Sequence, residues 1–176
     1  SLDCWTLVRE FCLNYYGRAA PHIIEYLEAL HSQLEYNNHF LSSCDPPQPT
    51  FYLNPEFLSK SDRILRGAET AVAANPELAA RVQAVRLPVL FATLVTWPRF
   101  SQHAAASGRR LKWEFQSPIE TMFKEFSMLG DKLGVKKLGE PDAYPPPGAW
   151  PEEFPLVRRE AQAPQEFPKL KRTEWY

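Results

Sequence analysis

Trp97, Arg99, Phe100, His103, Arg109, Arg110 and Trp113 crowd one short stretch of this chain. Indole and phenyl faces stack on the apolar faces of sugar rings, while arginine and histidine hydrogen-bond hydroxyls and carboxylates. Trp97, Arg99, His103, Arg109 and Trp113 are therefore the candidate substrate-binding residues, with a carbohydrate as the ligand class. The simpler reading is that Trp97 and Trp113 close the core where a helix breaks. Neither reading supplies a catalytic group.

Other chemistry finds less support. His31, His39 and Cys44 are spaced x7 and x4, which matches no zinc signature, so no metal site is expected. Glycosidic hydrolysis needs two carboxyl groups facing each other across a bond. Glu25 and Glu28, three apart on a helix, and the adjacent Glu152 and Glu153 read instead as solvated surface. There is no phosphate-cradling or dinucleotide glycine pattern and no nucleophile elbow, so no cofactor is expected. Cys4 and Cys12 lie eight residues apart on one helix, too far to bridge, since a disulfide needs Cα atoms within ~7 Å. The cysteines read as buried free thiols, leaving the compartment open.

Composition narrows the classes further. The 176 residues suffice for one domain with a real core, and 44% hydrophobic and 23% charged residues are globular proportions. Twenty basic against 21 acidic residues give a net charge of −1, with no electrostatic case for nucleic acid or an anionic membrane. No apolar run reaches the ~20 residues of a membrane span; residues 85–97 come closest but include Arg86 and Pro88. The opening SLDCWTLVRE lacks the basic region of a signal peptide and starts almost inside a helix. The chain is thus expected to be a piece of something longer.

The elements follow from periodicity and punctuation. Leu7, Val8, Phe11, Cys12 and Tyr15 keep a helical period, with Asp3 as a plausible N-cap. Gly17 suits the position past a helix end, and Pro21 the first turn of the next. Ile23, Leu27, Leu30 and Leu34 form the second stripe, so residues 11–31 read as a hairpin corner, with one of Tyr15 and Tyr16 in the core. A long loop, 37–54, follows. Asn54-Pro55-Glu56 and Asn75-Pro76-Glu77 each read as cap, first-turn proline and first-turn acid. Between and after them run the stripes Phe57, Ile64, Leu65, Ala68, Val72 and Leu78, Val82, Val85, Val89. Pro88 is expected to kink the fourth helix. Residues 98–116 look irregular. Ser117 and Glu120 resemble a capping box for a fifth helix carrying Ile119, Met122, Phe126, Leu129 and Leu133.

The expected fold is all-α: five to six helices in an antiparallel assembly over residues 1–140, then an extended proline-rich arm over 141–176. The arm holds 8 of the 17 prolines, yet also Tyr144, Trp150, Phe154, Phe167, Trp175 and Tyr176. Such aromatic content suggests docking on a surface, with Trp150 and Phe154 as anchors. The expected core is Trp5, Val8, Phe11, Cys12, Ile23, Leu27, Leu30, Leu34, Leu65, Val82, Val85, Val89, Phe126 and Leu129.

The opening also has a family likeness. Phe11 to Leu30, read as F-x3-Y-Y-G-x-A-A-P-x-I-x2-Y-L-x2-L, resembles a signature of the bacterial domain-of-unknown-function family 4838. Phe51-x-Leu53-Asn54-x2-Phe57-Leu58 and Arg81-Val82-x3-Arg86-Leu87-Pro88-Val89-Leu90 are similar to its following elements, in the expected order. The resemblance covers about residues 2–97. It implies the helical part that follows a glycoside-hydrolase-like barrel, whose catalytic acids would lie upstream of Ser1, in a periplasmic or secreted bacterial protein. No residue of this chain matches a catalytic motif.

The expected function is a non-catalytic helical module of a carbohydrate-active protein, buttressing an upstream barrel domain or subunit and lending residues to a sugar cleft. The alternative is a helical protein-interaction or dimerisation domain with an aromatic clamp arm. A third possibility is an enzyme with its site in 97–113.

Overall fold

The computed structural model describes residues 3–35, 53–107, 115 and 117–135. They are all-α, with no strand among the described residues. The elements are α1 (Cys4–Tyr16), a 3-10 turn (Gly17–Ala19), α2 (Ala20–Glu35), α3 (Pro55–Ala71), α4 (Pro76–Ala106) and α5 (Ile119–Lys132). The arm 141–176, most of the loop 37–54, Arg109 and Trp113 lie outside the described residues.

The hairpin corner is a fold device. Gly17 has φ +54°, and a Cβ there would lie 3.1 Å from the Leu78 Cδ1 atom of α4. Both facts favour glycine: the left-handed backbone strains other residues, and a Cβ would require the Leu78 side chain to give way slightly. Arg81 of α4 closes the corner from outside. Its guanidinium sits 4.2 Å from the Tyr15 ring centroid and donates to the Tyr15 carbonyl at 2.6 Å. Tyr16 packs half-buried against the core while Tyr15 stays exposed, dividing the two tyrosines between core and surface.

Caps position the next helices. The Asn54 Oδ1 atom accepts from the Phe57 amide at 2.8 Å, and the Asn75 Oδ1 atom accepts from the Glu77 and Leu78 amides at 3.1 and 3.2 Å. At α5 the expected Ser117–Glu120 capping box is a correction: the helix start has no side-chain cap bond. The N-cap is Pro118, and the Ser117 hydroxyl accepts from Arg66. Contacts run in opposite order along neighbouring helices, so the packing is antiparallel. Trp5 meets His31 and Arg9 meets Glu28 across α1 and α2; Phe91 meets Phe126 and Gln83 meets Lys132 across α4 and α5.

α4 is the central helix, packing against α1, α3 and α5. Leu90, Leu94, Thr93 and Thr96 are almost fully buried in it, with the threonine hydroxyls donating to the carbonyls four residues back. Packing on several sides requires apolar residues nearly all round, which makes α4 long and apolar enough by composition to span a membrane. The helix runs on through Pro88 and Pro98. Pro88 and Ala84 are both exposed, so the hydrogen bond that Pro88 removes lies on the solvent side of the helix. The irregular segment expected after Trp97 is therefore helix as far as Ala106.

Of the expected core, Cys12, Ile23, Leu65, Val82, Val89, Phe126 and Leu129 are buried, and Val8, Leu27, Leu30 and Val85 pack half-buried against them. Trp5 is intermediate, and the Leu34 side chain lies outside the described residues. Phe11 is a correction: it is 56% exposed. α1 lies at the edge of the assembly and turns Val8, Cys12 and Tyr16 inward, at spacings of four. Phe11 falls on the adjoining ridge with Leu7 and Tyr15, also exposed. Cys4 is exposed as well, unlike the buried thiol expected.

Candidate functional site

Among the described residues, the largest concentration of buried charge joins three helices. Asp62 is 0% exposed and Arg86 3% exposed. Asp62, Arg66 and Glu69 come from α3, Arg86 from α4, and Glu125 from α5. Spacings of four and three on α3 put its three charged residues on one side of the helix. Arg86 of α4 faces that side, and Glu125 reaches it from α5.

The geometry leaves the groups closely matched. The Arg66 Nε atom donates to Asp62 at 2.9 Å, while its two terminal nitrogens grip Glu125 at 3.1 and 2.8 Å. Arg66 also donates to the Ser117 hydroxyl at 3.1 Å. The Arg86 Nε atom donates to the other Asp62 oxygen at 3.1 Å, its Nη1 atom to Glu69 at 3.2 Å, and its Nη2 atom to Glu125. Forked arginine–carboxylate pairs of this kind fix orientation as well as charge. Three carboxylates face two guanidiniums, so the cluster carries one surplus negative charge.

Burial raises the Glu125 pKa, but hydrogen bonds from Arg66 and Arg86, with their charges, together outweigh it and hold the carboxyl below its ordinary value. Burial lowers the Arg66 pKa, and the bonds to Asp62 and Glu125 more than restore it. Such carboxylates are acceptors already filled by arginine. Glu125, held below its ordinary value, is a poor proton donor at neutral pH, and no group of His, Cys, Asp or Glu suited to a metal ion exists among the described residues. The arrangement suits a clamp between helices.

A pH prediction follows. The unfolded chain takes up a proton on Glu125 near the ordinary value of about 4.3, and the folded chain only below it. The stabilising contribution is complete above about pH 4.3 and is lost as pH falls through the lowered folded value. Urea titrations across that range are expected to show a steeper loss for the native chain than for Glu125→Gln.

The sequence candidates are only partly brought together. Trp97 packs half-buried against the core, though no helix breaks there, while Arg99 is exposed. Two residues apart on a helix, they project about 200° apart and share no face. Positions 99 and 103 are one turn apart on the same side of α4. Glu28 pairs with Arg9 at 2.9 Å on an exposed surface. Burial pushes the Cys12 thiol up, away from the thiolate that a nucleophile needs.

An open hollow of about 330 Å3 lies between the start of α1 and the end of α2, lined by Asp3, Trp5, Arg9, Glu28, His31 and Ser32. Trp5 and His31 meet there nearly perpendicular, 5.5 Å apart. The sequence reading missed both the hollow and the charge cluster.

No family model, no curated protein and no solved structure matches the chain. The likeness of residues 2–97 to family 4838 therefore rests on the quoted residues alone.

Proposed function

We propose that this chain is a non-catalytic helical module that buttresses a neighbouring glycoside-hydrolase-like barrel in a carbohydrate-active protein. The observation that supports this reading is the exposed ridge Leu7, Phe11 and Tyr15 on α1, one residue per turn. A ridge of large apolar side chains suits a partner surface better than water. With about half of each side chain's ~150–250 Å2 exposed, the ridge offers on the order of 300 Å2. That is well short of the ~800 Å2 per partner of a stable association between free proteins. It matches the lower end of interfaces between tethered domains, ~600–1,500 Å2 in total. The buried charges, by contrast, saturate one another and serve the fold.

The carbohydrate connection comes from the family resemblance. Any contribution to a sugar cleft is assigned to Trp97, Arg99, His103, Arg109 and Trp113, with the exposed Arg99 side of α4 the part nearest solvent. The second reading, a helical dimerisation module, draws on the same ridge.

Two measurements separate them. The coding sequence upstream of Ser1 is expected to contain strand–helix units of a barrel; their absence counts against the first reading. Within that longer polypeptide, Phe11→Glu is expected to lower the thermal midpoint. The isolated chain's stability should stay within about 0.5 kcal/mol, because the site is exposed. Sedimentation showing that the isolated chain dimerises, with Phe11→Glu restoring the monomer, would establish the second reading instead.

A further inference from the structure

We infer that α5 is a separately opening element, latched onto α3 and α4 by Glu125, and that α1–α4 form a unit that stays folded when α5 lifts away. The first ground is topology. Among the described residues, α5 packs along α4 alone, whereas α3 packs on α2, α4 and the 3-10 turn. Among the described residues, the polar ties of α5 to its neighbours include the Glu125 contacts with Arg66 and Arg86 and the Lys132 bond to Gln83 at 2.8 Å, and Ser117, just before α5, adds its bond from Arg66.

The second ground is charge balance. With α5 in place the cluster holds three carboxylates and two guanidiniums. When α5 leaves, Glu125 leaves with it. Asp62 and Glu69 then face Arg66 and Arg86, two against two. The bonds that remain, Arg66 to Asp62 at 2.9 Å and Arg86 to Asp62 and Glu69 at 3.1 and 3.2 Å, still occupy both guanidiniums. Opening therefore strands no buried charge in α1–α4, which removes the usual penalty for separating an ionic cluster. Were Asp62 or Arg86 on α5, lifting it would leave an uncompensated charge inside the remaining fold. The apolar stripe Ile119, Met122, Phe123, Phe126 and Leu129 keeps α5 closed in the resting state. Opening uncovers the facing part of α4, including Phe91, which stacks 6.1 Å from Phe126.

Native-state hydrogen exchange on the whole chain tests this. In the unmodified chain, α5 amides are expected to exchange faster than those of α3 and the buried middle of α4. Glu125→Gln replaces charged hydrogen bonds with neutral ones and is expected to speed exchange in α5 by roughly 10- to 100-fold, leaving α3 within about twofold. Equal protection of α3 and α5 in the unmodified chain would overturn the inference, even if the variant failed to fold. So would a variant in which α3 and α5 accelerate together, or one in which α5 does not change.

Discussion

Replacing Arg86 by methionine is expected to destabilise the chain by about 3–5 kcal/mol, the largest loss for any single charge here. Methionine fills much of the same volume, so the loss is not mainly one of packing. It arises because Asp62, fully buried, and Glu69 and Glu125 lose the cation they share. Arg66 alone then faces three carboxylates. Arg86→Lys is expected to recover little, since a single ammonium cannot reach three carboxylates in the directions a guanidinium does. Urea denaturation followed by circular dichroism measures both variants. A change below about 1 kcal/mol for Arg86→Met would mean that the cluster contributes little to the fold.

The second large effect is expected at Phe126. Its side chain is fully buried on α5, and its ring stacks on Phe91 of α4. Phe126→Ala removes that contact and leaves a cavity, a change that costs about 3–5 kcal/mol in a packed core. The loss falls on the α4–α5 contact, so exchange of α5 amides is the direct readout. Met128, exposed two residues further along the same helix, serves as the control. Met128→Ala is expected to change exchange little.

Much of this fold was legible in the chain, and the reason is local. Gly17 acts through its own backbone, and Asn54 and Asn75 through side chains that accept from amides two or three residues on, so sequence punctuation located the helix starts and the hairpin corner. Which side of an edge helix faces inward is a property of the assembly. Phe11 satisfies the same period as Cys12, and only the placement of α2 and the 3-10 turn decides that Cys12 goes in. Pro88 lies inside α4, as its place in the fourth apolar stripe implies, because a proline on an exposed side of a helix need not end it.

The charge cluster had a signal that went unread. Asp62 falls between Leu58 and Leu65 in the core register of α3. Arg86 follows Val82 by one turn on α4, and Glu125 follows Met122 by three residues on α5. A charged residue at a buried register position on each of three helices suggests mutual pairing. What periodicity cannot supply is which helices meet, because Arg66 and Glu125 lie 59 residues apart. The same limit applies to the candidate sugar-binding residues. Trp97 and Arg99 are close in sequence, but a helix sends neighbours two apart to different sides.

A cluster that clamps the helices together couples Arg66 to Glu125, and a double-mutant cycle on the two measures that coupling most directly. Stability is measured for the native chain, Arg66→Gln, Glu125→Gln and the double variant. The bidentate contact at 2.8 and 3.1 Å is expected to give a favourable coupling of about 1–3 kcal/mol. A coupling below about 0.5 kcal/mol, the level at which independent sites simply add, would contradict the account.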